Sequence, residues 1–310
     1  MRLSTAVRRF VTYKRAQGRQ YKNIAVFLLS FAREMGDCSV SNLTPSRISA
    51  FLNTGERLPY TRVCRYNTLC VFFRFLRQIE KLKRWPMPDP PPKPDRTYVP
   101  YIFSRAEIRR VIDCKFQDCF GRRTLIEPIT FRTILLLLYG TGISFTEAIT
   151  LRRDHVDFVN RTIEIAIREG GKTRIIPIGT DVCKLLMCYL KSRAHVEGRT
   201  PCLFVTSRGE PVNHRSLRRN FKRLCRAAGV TRHGVGYSEP RMHDLRYTFA
   251  VHRIASWYRM GANLQKLIPA LAVYMGRAGM RSTERMLSLT PEHLASSGGR
   301  YLRVPRPAYW

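Results

Sequence analysis

The sequence predicts a mainly helical protein with one small β-sheet, an α+β class, built as two domains. Three observations carry this. Most apolar residues recur at three- and four-residue spacing, two short segments alternate at period two, and a proline tract interrupts the pattern once. That tract, Trp85-Pro-Met-Pro-Asp-Pro-Pro-Pro-Lys-Pro-Asp95, holds six prolines. It excludes a helix interior or a central strand and favours an extended spacer. The expected division is a helical domain over residues 1–85, a Pro-rich linker over 86–99 and a second domain over 100–310.

Each element has a local reason. Ala6, Phe10 and Tyr13, and then Ile24, Phe27, Leu28 and Phe31, mark the apolar stripes of two helices. Leu43 to Leu52 opens a third, with Thr44 as N-cap and Pro45 at the first helical position. Tyr60 to Ile79 is a fourth, with Arg62, Arg65, Arg74 and Arg77 spread along it. After the linker, Ser104-Arg-Ala-Glu107 is a capping box that starts a helix through Ile108, Val111 and Ile112. Phe131 to Tyr139 is strongly apolar, as a buried helix should be. Thr162 to Ile167 and Thr173 to Ile178 alternate as two strands around Gly170-Gly171, a hairpin. Asp181 to Tyr189 is helical, Leu217 to Ala228 is a basic helix, and a further helix runs from His243 towards Tyr258.

Charge narrows the function. The 310 residues carry 55 Lys+Arg against 22 Asp+Glu, a formal +33, with an ordinary 44% hydrophobic content. Self-repulsion of that size points to a polyanionic partner, and double-stranded DNA, whose bound counterions are released on neutralisation, is the leading one. RNA ranks second. A membrane surface ranks low, because the longest aliphatic run, Ile134 to Tyr139, is too short to span a bilayer. Residues 1–85 hold 17 Lys+Arg and 4 Asp+Glu, so both domains are basic and a two-lobed clamp is expected. The nine cysteines, at 38, 64, 70, 114, 119, 183, 188, 202 and 225, lack zinc spacing. They are expected to be buried thiols in a reducing compartment, with no metal or cofactor. The N-terminus has no apolar core of signal-peptide length, so a cytoplasmic protein is expected.

Four ordered segments then resemble a known family. They are Thr141-Gly-Ile-Ser-Phe-Thr-Glu147, Arg174-Ile-Ile-Pro177, Pro240-Arg-Met-His-Asp-Leu-Arg-Tyr-Thr-Phe-Ala250, and the stretch from Tyr274-Met-Gly-Arg277 through Met286 to Glu292. In this order they resemble the tyrosine recombinases of the phage-integrase and Xer-like type, over essentially the whole chain. The resemblance implies a helical, SAM-like core-binding domain over 1–85 and a catalytic-type domain over 100–310.

It also implies specific roles. His243 and Arg246 retain the family's His-x-x-Arg, three apart and so on one helical face, where they would hold a phosphate. Arg246→Ala is then expected to weaken DNA binding and leave thermal stability nearly unchanged. His252, further along, is expected to be a packing or surface histidine. Ser144 stands where the family has an arginine, and lacks the charged fork that grips a phosphate. Glu169 stands at the lysine place, with the wrong sign; Lys172 fits a second basic place, and either Arg168 or Lys172 would substitute only if the hairpin shifts. Arg277 replaces a histidine and keeps a donor. Met286 replaces the attacking tyrosine, and a thioether cannot carry a phosphoryl group through a phosphotyrosine intermediate. Of the nearest tyrosines, Tyr274 fits a core helix better than a nucleophile and Tyr301 lies in the tail.

The expected DNA contacts are Arg168, Lys172, Arg174, Arg62 and Arg65. The expected function is that of a DNA-binding pseudoenzyme of a mobile genetic element, a non-cutting subunit in recombination or integration. It would work beside itself or a related active recombinase in a dimer or tetramer, with Thr290 to Trp310 resembling the piece that docks on a neighbour. Two alternatives stay open: an active recombinase with a displaced or trans-supplied tyrosine, and a DNA- or RNA-binding regulator that inherited the fold.

Overall fold

The computed structural model describes residues 1–18, 21–55, 59–80, 84–92, 99–119, 124–166, 173–196, 200–232 and 239–276. They form two compact units, one ending at Tyr98 and one beginning at Val99.

The first unit holds four helices: α1 (Leu3–Ala16), α2 (Lys22–Glu34), α3 (Pro45–Asn53) and α4 (Pro59–Glu80). α1 packs on α2 and α4, and α3 packs on α4. The apolar stripes read from the sequence meet in one core, where Leu3, Phe10, Leu28, Phe31, Phe72, Phe73 and Leu76 are fully buried. Phe10 meets Phe72 and Phe75 edge-on at centroid distances of 5.4 and 5.1 Å, the geometry that ring quadrupoles favour. The Thr44 hydroxyl accepts from the Arg47 amide at 3.4 Å, with Pro45 following, as the capping signal predicts.

The second unit contains α5 (Arg105–Asp113), α6 (Phe116–Cys119), α7 (Pro128–Thr141), α8 (Phe145–Ile149), α9 (Thr180–Ser192), α10 (His214–Ala227), α11 (Asp244–Arg259) and α12 (Leu264–Tyr274). Between α8 and α9 lies an antiparallel sheet of β1 (Val156–Asp157), β2 (Thr162–Ala166) and β3 (Thr173–Pro177), in that order. The Ser104–Glu107 capping box forms with both hydrogen bonds present. α7 is strongly apolar because α9 and α11 both pack against it, burying Phe131, Ile134, Leu135, Leu137 and Leu138, while Arg132 stays exposed. In the hairpin Ile163 pairs with Ile176 and Ile165 with Arg174, so Arg174 shares the inward face of β3 while Ile175, 70% exposed, points out.

Two elements go beyond the sequence reading. β1 is only two residues long. α12 carries Pro269 inside it, a residue that reads as a helix breaker. The thiols also differ from expectation. Cys70, Cys183 and Cys225 are buried, four are intermediate, and Cys64 and Cys188 are exposed. Among the described residues no helix is long and apolar enough to cross a membrane.

Candidate functional site

The motif residues converge where α7 turns into α8. α7 ends at Gly142, whose φ of +64° is left-handed. A Cβ there would also fall 2.2 Å from the Phe249 ring of α11, so both backbone and space demand glycine. α8 then starts at Ser144. Its hydroxyl accepts from the Glu147 amide at 3.3 Å, and its own amide donates to Glu147 Oε2 at 2.6 Å, a complete capping box. The position that resembles an arginine site is therefore occupied by a helix cap.

Glu147 is the hub. Its Oε1 accepts from Arg174 of β3 at 2.8 Å, and its Oε2 lies 3.5 Å from Arg246 of α11. Arg174 Nε also donates to the Tyr274 carbonyl at 3.1 Å. Arg246 donates to the Gly142 carbonyl at 2.9 Å and to the Met275 carbonyl. The two guanidiniums thus tie the C-terminal end of α12 to α8, and Gly276 packs over Arg174, where a Cβ would fall 2.5 Å from Nη1. Burial would raise the Glu147 carboxyl, but hydrogen bonds from Arg174 and Ser144 outweigh it and hold the carboxyl below its ordinary range.

A depressed carboxyl contributes stability that is present above its unfolded pKa and lost as pH falls through the folded one. Glu147→Gln should therefore destabilise the protein at neutral pH by about 3 kcal/mol, since it leaves buried Arg246 and part-buried Arg174 without their counter-charge. The gap to the parent should close as pH drops below the ordinary carboxylate range; parallel denaturation curves from pH 7 to pH 3 measure it.

The predicted site residues fall out unevenly. Arg246 is buried, 6% exposed, with its donors aimed at protein acceptors. The pair expected on one face is split, because His243, just before α11, is exposed with its ring edge-on to Tyr247 at 5.6 Å. Arg174 lies inward, against Glu147. His252 packs as expected, with Nδ1 3.0 Å from the Tyr139 hydroxyl. In the first unit Arg62 is half-buried, and Arg65 stacks its guanidinium 5.2 Å from the Phe27 ring centre. Arg168, Glu169, Lys172, Arg277, Met286 and Tyr301, with the segment Thr290 to Trp310, lie outside the described residues. Tyr274 stacks on Phe249 at 6.0 Å and donates its hydroxyl to the Pro177 carbonyl at 3.4 Å. Burial pushes its phenol up to about 12.

One surface was not assigned from the sequence. α10 buries Leu217, Phe221, Leu224 and Cys225 and exposes Arg215, Arg218, Arg219, Lys222, Arg223 and Arg226 along its other face. Its N-terminal end lies beside the site, with His214 4.4 Å and Arg218 5.8 Å from the Phe145 ring centre. The signal was present in the sequence as cations at three- and four-residue spacing opposite an apolar stripe.

A helical unit followed by a mainly helical unit with a three-stranded sheet, with these motifs at its centre, defines the class of recombinase-fold proteins. The Phage integrase family model matches residues 123–272. A Sinorhizobium fredii protein assigned as an integrase/recombinase, y4rB, is 25% identical over 93% of this chain and 93% of its own length. The tyrosine recombinase XerC of Lacticaseibacillus casei is 27% identical over 79% of this chain and 78% of its own. Among solved structures, the Tn1549 transposon integrase in complex with a circular intermediate DNA shares the fold at TM-score 0.65 and 17% identity, covering 92% of this chain and 94% of that one. A lambda integrase dimer bound to a core site does so at 0.64 and 14%, covering 98% and 80%. The chain is similar to tyrosine recombinases over most of its length, and the Phage integrase family model matches its central part, residues 123–272.

Proposed function

We propose that this protein is a DNA-binding, non-cutting member of the tyrosine recombinase family, serving as an accessory subunit in recombination or integration. The observation that carries the reading is Ser144. Its hydroxyl caps α8, and no guanidinium stands at that position to grip a scissile phosphate. Losing one preorganised donor to a developing oxyanion typically costs about 3–4 kcal/mol, and a neutral serine held by the backbone does not replace it. Met286, at the nucleophile's place in the sequence, removes the attacking atom. Arg174 and Arg246 act as scaffold, positioning α8 and the end of α12. Exposed His243 and the basic face of α10 are the groups that touch phosphate, together with Arg62 and Arg65 and, from the sequence alone, Arg168 and Lys172.

Both units are basic, and each contributes cations to the DNA contact. The partner is a second copy or an active relative, a reading supported by a structural neighbour that is a dimer on its core site. DNA binding tests the reading. With about eight phosphates neutralised, the log–log dependence of the binding constant on salt should have a slope near −7. A slope shallower than about −3 contradicts an extensive basic interface.

A further inference from the structure

One cluster lies apart from the motif residues. Cys114, which caps the C-terminal end of α5, and Cys119, the last residue of α6, place their Sγ atoms 3.6 Å apart. Both thiols line an open cavity of about 550 Å³, lined among the described residues also by Lys115, Arg223, Arg226 and Ala227. A disulfide needs about 2.05 Å between sulfurs, so the two Sγ atoms, already in van der Waals contact, must approach further for the bond to form. Three cationic side chains line the same cavity as the thiols, a setting that attracts an anionic reagent. Arg226 is already shared with Glu239 at 2.8 Å, whereas Lys115 and Arg223 are both exposed at the rim.

We propose that Cys114 and Cys119 form a redox-active dithiol that reacts with a small anionic disulfide of the glutathione class. One cysteine thiolate attacks a sulfur of the incoming disulfide. The S–S bond breaks, a mixed disulfide forms on the protein, and one glutathione leaves as its thiolate. The second cysteine thiolate then attacks the protein sulfur of the mixed disulfide and releases the second glutathione. The two protein thiols lose two protons and two electrons, and the small disulfide is reduced to two thiols. α6 packs on α10, so the new bond braces the support of the helix that carries the basic face.

The test incubates the full chain in oxidised and reduced glutathione mixtures, quenches it by alkylation and maps the products by peptide mass spectrometry. Exposed Cys64 and Cys188 serve as internal references for thiols outside the pair. An intramolecular Cys114–Cys119 linkage should form, and C114S should trap one glutathione on Cys119 because the resolving thiol is gone. R223Q should slow the reaction with oxidised glutathione by about threefold, the scale of one exposed charge contact, and leave the rate with neutral hydroxyethyl disulfide unchanged. Mixed disulfides at Cys64 and Cys188 with the 114–119 pair still reduced would overturn the proposal. Equal slowing of both reagents by R223Q would overturn the role given to the cations.

Discussion

Replacing Arg246 with alanine should lower the stability of the second unit by about 3–5 kcal/mol, the range for breaking a buried ion pair by removing one partner. For a unit of this size that corresponds to a fall in Tm on the order of 10 °C. The reason lies in what the side chain leaves behind. Arg246 donates to the carbonyls of Gly142 and Met275 and stands 3.5 Å from the Glu147 carboxylate. Removing it strands two buried acceptors and weakens the compensation of a buried charge. The His-x-x-Arg motif alone suggests the opposite, a phosphate-facing side chain whose loss leaves folding untouched. Burial decides between them. Thermal melts of parent and variant without DNA measure the difference, and a shift of no more than about 2 °C, the size of a surface substitution, contradicts the scaffold role. Arg246→Lys should fall between the two, because a point charge satisfies one acceptor where the planar fork satisfies several.

The second large expected effect is an absence of strand cleavage with binding intact. Covalent chemistry in this family's manner needs an ionisable nucleophile and a charged grip on the phosphate. Met286 offers no ionisable proton. The Tyr274 phenol is half-buried, stacks on Phe249 and donates its hydroxyl to the Pro177 carbonyl, so it is held in the protein rather than presented to a phosphate. Ser144 supplies no charge, and Arg174 and Arg246, which share Glu147 with it, are engaged by that carboxylate. The deficits fall on different parts of the reaction, the attacking atom and the phosphate grip, so mending one leaves the other.

Much of the fold was legible because its signals are local. Thr44, the Ser104–Glu107 box and the alternating hairpin depend on residues within a few positions of one another, and all formed where they were read. The site was harder. The acceptors that bury Arg246 come from residues 104 and 29 positions away, a distance over which spacing carries no information. Arg174 was recoverable, since it alternates with buried Ile176 on β3, yet its charge drew attention to DNA instead. Pro269 concealed α12, and the basic face of α10 stood in plain view without being given a role. The substituted positions 144 and 286 could be read because a motif's flanks fix its register without any fold.

The central claim is that this chain holds DNA and does not break it. A labelled duplex bearing a nick near the exchange point, so that any cut becomes irreversible, measures this directly when the products are run on a denaturing gel. The account predicts a salt-sensitive, non-covalent complex on a native gel and no protein-linked DNA after denaturation. A band of this protein joined to a 3′ phosphate would contradict it.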